Sequence, residues 1–132
     1  MRHLYGTLVL LTAVLFFLFT AATSGLAPRE FAARLGLAVS TPAGDNEVRA
    51  QYAGFFLVAA ALCVAALANA VSRRSAFLLL AVVFGGLFAG RAVSLILNGG
   101  FEGYTATIRA LFVIDAAGLL LALSAMAVDG AG

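Results

Sequence analysis

Lysine and tryptophan are absent from this chain of 132 residues, and histidine and cysteine occur once each, as His3 and Cys63. A lone cysteine cannot form a disulfide within the chain. One histidine with one cysteine cannot supply the ligand set of a zinc or redox centre. Haem ligation is equally hard to build, because His3 sits close to Met1 and the only other methionine is Met126. With no histidine available to serve as base for a serine or cysteine, hydrolase chemistry is not expected. These scarcities predict no metal, no cofactor and no catalytic residue.

Charge is scarce too. Charged residues make up 11% of the chain, against about 25% in soluble domains. The eight basic residues are all arginines, and they form no run or stripe, so no nucleic-acid footprint is present. The two prolines, Pro28 and Pro42, both fall between apolar runs, and the runs themselves contain none.

What is abundant is apolar surface: the composition is 64% hydrophobic and the mean hydropathy is +1.09. Such an excess calls for hydrocarbon as solvent. Four apolar runs, at about 4–22, 50–71, 75–97 and 108–128, are each long enough to cross roughly 30 Å at 1.5 Å per residue. The expected fold is all-α, an integral membrane four-helix bundle in a single domain over 1–132. The first run, with Met1-Arg2-His3 before it and Thr20-Ala21-Ala22 at its end, has a signal-peptide reading. It is longer than a usual signal core, so a retained span is expected.

Between the first two runs, Thr23 to Arg49 is the longest polar segment. Ser24-Gly25 followed by Pro28 reads as a helix start, and Phe31 and Leu35 share one face before Gly36. A short interfacial helix with its apolar face toward the bilayer is predicted. Ser40 to Asn46 reads as loop, with Asp45 or Asn46 capping the second span. The second and third spans are joined by the tight Ser72-Arg73-Arg74-Ser75, the third and fourth by the glycine-rich stretch Asn98 to Thr105. Placing Arg2 and Arg73-Arg74 on the inner side gives an N-in, C-in arrangement in a bacterial inner membrane.

The informative residues are those that hydrocarbon should not contain. Arg91 in the third span and Asp115 in the fourth fall at similar depths, roughly 10 Å below the outer boundary on antiparallel helices. Each costs about 2.5–3.5 kcal/mol at mid-membrane, so both should point inward and pair. Glu47, which shares a face with Gln51 at the start of the second span, is a second candidate partner for Arg91. Arg49 has two readings, a pair with Asp115 or a place among the headgroups. Ser94, three residues from Arg91, shares its face, and Tyr52 either anchors at the interface or faces inward. The resulting picture is an outer-leaflet polar pocket of Glu47, Arg49, Gln51, Tyr52, Arg91, Ser94 and Asp115, walled by the second, third and fourth spans. The alternative is an ion pair that serves only to fix helix register. Gly86-Leu87-Phe88-Ala89-Gly90 permits close helix approach, within the bundle or between copies. Cys63 reads as a small packing residue, and Phe16, Phe17 and Phe19 as core or lipid contacts.

The string Asn46-Glu47-Val48-Arg49-Ala50-Gln51-Tyr52-Ala53-Gly54, with Gly85-Gly86 and Gly90-Arg91 later, resembles a family of small bacterial four-helix membrane proteins known only as a domain of unknown function. The resemblance covers nearly the whole chain. Ala53 stands where the family pattern has glycine, and Asp115 where it often has glutamate, one methylene longer. The resemblance carries no activity with it; what it implies is that Glu47, Arg49, Arg91 and Asp115 form one constellation. The function expected is non-catalytic binding of a membrane lipid or other amphiphile. The competing readings are a small proton-coupled transporter and an auxiliary subunit of a larger complex, with a homo-oligomer or a partner membrane protein as company.

Overall fold

The computed structural model describes residues 2–129; Met1 and the side chain of Arg2, on which part of the orientation argument rests, lie outside the described residues. The elements are α1 (Arg2–Leu26), α2 (Pro28–Arg34), α3 (Pro42–Val48), a π-helical segment (Arg49–Gly54), α4 (Phe55–Leu67), α5 (Arg73–Asn98) and α6 (Ala106–Asp129). No β-strand occurs among the described residues. With α3, the π segment and α4 counted as one continuous rod, four helices are long and apolar enough to cross a membrane. Leu15, Val58, Val82, Ile96 and Val113 all point outward from them, which suits lipid and would be a liability in water. The chain is an integral membrane protein, and its spans form a bundle.

Local chemistry sets the helix ends, and in two places it overrides the sequence expectation. The second rod opens at Pro42, not near 50. Thr41 is its cap, the Oγ1 accepting the Gly44 N–H at 3.1 Å, and Pro42 takes the first helical position, where its missing N–H costs nothing. Pro42 and Gly44 therefore start a helix and do not break one, and neither Asp45 nor Asn46 is the cap. The same rod stops at Leu67, short of 71. Asn69 adopts a left-handed φ of 58°, with its N–H bonded to the Ala66 carbonyl and the Ala70 N–H to that of Ala65. That is a Schellman closure with asparagine in the place glycine usually takes. Ser72 then caps α5 by accepting the Ser75 N–H at 3.1 Å, so Arg73 and Arg74 lie in the first turn of a helix and not in the connection.

α1 also overruns expectation, reaching Leu26, and Ser24 bonds back to the Thr20 carbonyl at 2.6 Å instead of capping α2. As expected, α2 begins at Pro28. It closes with the Leu37 and Gly36 N–H groups on the Ala32 and Ala33 carbonyls.

The two ends of the bundle differ. At the turn end, Arg73 Nη2 donates to the His3 carbonyl at 3.2 Å and to Thr7 Oγ1 at 3.1 Å, and its Nε lies 3.8 Å from Asp129 Oδ2. Tyr5 and Ser124 share a hydrogen bond of 2.6 Å that joins α1 to α6. Above this lies the core, where Leu10, Phe17, Cys63, Phe77 and Leu80 are buried. Phe17 packs on Phe56 and stacks on Phe84, at ring separations of 5.2 and 5.7 Å. Gly118 allows α6 to lie against Phe84; a Cβ there would fall 2.6 Å from the ring.

At the loop end, which carries α2, α3 and residues 99–105, packing relaxes. The last buried residue on α5 is Phe84, although the helix runs on to Asn98. Gly86 and Gly90 meet nothing within 4 Å, so this small-residue face does not pack inside the bundle. Gly85 alone approaches α6, against Leu119.

Candidate ligand pocket

The loosened half of the bundle encloses a cavity of about 330 Å3. Its walls come from α1, the π segment with the start of α4, α5 and α6, and α2 lies across it. Each wall follows from a spacing. On α1, Phe16, Phe19, Thr20 and Thr23 recur at helical intervals and face inward together. The two threonine hydroxyls are already spent on the Phe16 and Phe19 carbonyls, at 2.9 and 2.8 Å. This polar-looking stripe is thus closer to an apolar one. On α2, Phe31, Arg34 and Leu35 sit three and four apart and all reach the cavity.

The π segment aims Tyr52. In an α-helix, residues four apart drift by about 40° around the axis. The wider π turn, closed here by the Phe55 N–H on the Ala50 carbonyl, reduces that drift. Val48, Tyr52 and Phe56 consequently stay on the bundle side. Tyr52 packs between Phe31 and Phe56 at 4.9 and 6.5 Å, so it faces the cavity and is no mere interface anchor. Insertions of this kind recur at functional sites.

Arg91 and Asp115 meet at the cavity wall. Arg91 Nε donates to Asp115 Oδ2 at 2.6 Å. The aspartate side chain is 1% exposed and the arginine 20%, so the acid is sealed in and the base still reaches open space. Among the described residues, Asp115 Oδ1 has no hydrogen-bond partner. On the far side of Arg91 lies a second hollow, also about 330 Å3, bordered by Ser94 and Tyr104.

The remaining residues of the sequence-derived pocket lie elsewhere. Glu47 is exposed and accepts from Gln51 Nε2 at 3.1 Å; neither borders the cavity. Glu47 is thus not the partner of Arg91. Among the described residues Arg49 forms no salt bridge but donates to the Gly25 carbonyl at 3.1 Å, holding the rod against the end of α1. Ser94 bonds the Tyr104 hydroxyl at 2.9 Å and makes no bond to Arg91. Of these residues Arg49 ties two helices together, and of the sequence-derived pocket only Tyr52, Arg91 and Asp115 reach the main cavity.

The walls are also different from those expected, since α1 and α2 contribute as much as the later spans. Sequence reasoning passed over Arg34, Phe31 and the α1 stripe. The signal was present in the spacing of Phe31 to Arg34 and of Phe16 to Thr23, which the search for intramembrane charge did not weigh.

α2 is held over the cavity at both ends. Arg29 clasps Asp45 in α3 through Nε and Nη2, each at 2.9 Å. That bond, with the carboxylate charge, holds the Arg29 guanidinium above its ordinary pKa. At the other end Thr105 Oγ1 donates to the Arg34 carbonyl at 3.0 Å, and the same oxygen accepts the Ile108 N–H at 3.2 Å to cap α6.

With this geometry in view, the comparison with protein families is decisive. A model of the family described as Domain of unknown function (DUF4345) matches residues 6–126. The chain belongs to that family. DUF4345 membership spans all four membrane-crossing helices, with α2 and the cavity between them. Comparison with curated proteins and with solved structures gives no match.

Proposed function

We propose that this DUF4345 protein is a non-catalytic binder of a lipid or other amphiphile, held in the cavity beneath α2. The observation that carries the reading is the cavity itself, apolar along most of its wall, with one buried ion pair and one further arginine. Pockets of about 300–1,000 Å3 that combine apolar lining with a few fixed polar groups are the usual form of small-molecule sites. Arg91 would orient the polar head, and Asp115 keeps Arg91 charged and in place. With Arg2 and Arg73-Arg74 assigned to the inner side, the protein sits N-in and C-in in a bacterial inner membrane, and the cavity belongs to the outer leaflet.

A proton-coupled carrier would need a path onward through the turn-end half, where Phe17, Cys63, Phe77 and Leu80 fill the interior. That packing favours a binding site over a conduit. A second reading, docking to another copy or to a larger complex, rests on the Gly86–Gly90 face, where a Cβ at either glycine would meet nothing within 4 Å among the described residues.

Native mass spectrometry of gently extracted protein tests the first reading. A lipid-sized mass is expected on the wild type and should be lost in Arg91→Leu shown to remain folded. A bare monomer under every gentle extraction overturns it, and stoichiometric co-purifying chains would favour docking.

A further inference from the structure

The cavity wall carries three charged groups, Arg34, Arg91 and Asp115, so two positive charges face one negative. Asp115 satisfies Arg91 through Nε alone. A guanidinium has five N–H donors, and among the described residues the four on the Nη atoms of Arg91 meet no protein acceptor. Arg34 has no carboxylate within 4.0 Å among the described residues: Glu30, one turn before it on α2, stays beyond that distance, and Asp45 on α3 is taken by Arg29. The Arg91 donors, on a side chain only 20% exposed, are costly to leave unmatched, and Arg34, exposed on α2, adds a second positive charge at the cavity mouth. One group cancels both: a single negative charge with several acceptor oxygens.

We propose that the ligand is a single-chain amphiphile with a monoanionic head, a carboxylate or a phosphodiester, clasped between Arg34 and Arg91. This rests on the amphiphile reading above and adds the charge of the head and the number of chains. The volume, near the lower bound for small-molecule pockets, suits part of one acyl chain better than two chains. The tail lies among Phe16, Phe31, Tyr52 and Ile114, and the head sits at the arginines. Arg34 lies on α2, fixed by Thr105 at its carbonyl, so the second cation comes from the interfacial segment and not from a span. Forked donors suit both head types, since arginine bonds carboxylate and phosphate in the same planar, two-point manner.

The test uses the full-length protein in a neutral maltoside detergent, with binding read by native mass spectrometry. Three single-chain probes are compared: palmitate, palmitoyl lysophosphatidylglycerol and the uncharged monopalmitoylglycerol. One or both anionic probes should bind at least tenfold more tightly than the neutral one, and which of them does so identifies the head as carboxylate or phosphodiester. Arg34→Gln should reduce that anionic preference about tenfold, and Arg34→Lys, which keeps the charge but not the fork, should restore only part of it. Arg34 lies at the surface on α2, so these variants do not depend on unpairing Asp115. Equal binding of neutral and anionic probes overturns the charge assignment and leaves the amphiphile reading standing. Binding of none of the three overturns both. An anionic preference that survives in Arg34→Gln removes the two-arginine clasp.

Discussion

Arg91 donates to Asp115 across 2.6 Å and thereby ties α5 to α6 just where α5 has ceased to bury side chains. Beyond Phe84, where side chains such as Leu87 are only partly buried, a charge-assisted hydrogen bond adds to the packing between the two helices near the cavity. The pair is structural for the bundle and, through the exposed part of Arg91, available to the cavity. A register device and a binding group are not alternatives here, because one arginine presents different nitrogens to each task.

Removing one half of that pair should be worse than removing both. Arg91→Leu strands a buried carboxylate and should cost about 3–5 kcal/mol; Arg91→Leu with Asp115→Leu should cost much less. Thermal unfolding in detergent, run as a double-mutant cycle, measures the coupling. Equal losses in the two proteins would show that the pair contributes no interaction energy.

Glu47→Ala should change stability by no more than about 0.5 kcal/mol, as befits an exposed side chain, and should leave any retained ligand mass in place. A large loss of either would return Glu47 to the pocket from which the structure separates it.

Two glycines give a contrast. Gly118→Ala drives a methyl into the Phe84 ring and should destabilise by about 1–3 kcal/mol. Gly86→Ala meets open space and should be neutral or slightly stabilising within the monomer. A drop in self-association or partner co-purification in Gly86→Ala, with unfolding unchanged, is the result expected if that face docks.

Thr105→Val removes the α6 cap and the tether to the Arg34 carbonyl together. The expected cost is about 1–2 kcal/mol, and amide exchange across 28–35 should accelerate more than in α1 or α4. Uniform acceleration would mean that α2 is not held by this threonine.

Asn69→Gly should keep the turn between α4 and α5 or strengthen it, since glycine takes the left-handed conformation without strain, and Asn69→Ala should lose about 1–2 kcal/mol. Melting temperatures of the two variants should therefore fall on opposite sides of, or unequally below, the wild type; coincident values contradict the closure.

The membrane spans were legible in the sequence because hydrocarbon imposes a strong, simple demand on length and apolarity. The depth match of Arg91 and Asp115 was legible for the same reason: a charge inside a span must find its opposite. Helix ends were less so. Thr41-Pro42 and Ser40-Thr41-Pro42-Ala43-Gly44 look like loop by composition, and only the Thr41 hydrogen bond turns them into a helix start. Glu47 and Arg49, in the nine-residue string Asn46 to Gly54, stand out as charge near a boundary. Boundary charges can be satisfied by a carbonyl or a neighbouring amide, as Arg49 is by Gly25, so their presence alone does not aim them inward. The π segment leaves no compositional mark, and without it Tyr52 could not be assigned a side. Arg34 was hidden by a different assumption, that a short interfacial helix faces lipid, when it in fact faces its own bundle.

Cys63 is the only cysteine of the chain, and it is sealed at 0% exposure among Phe17's neighbours in the turn-end core. The native protein therefore carries its own clock. A thiol reagent can reach that sulfur only when the helices part, so the rate of labelling reads the frequency of bundle opening, with no engineered probe and no second site to confuse the signal.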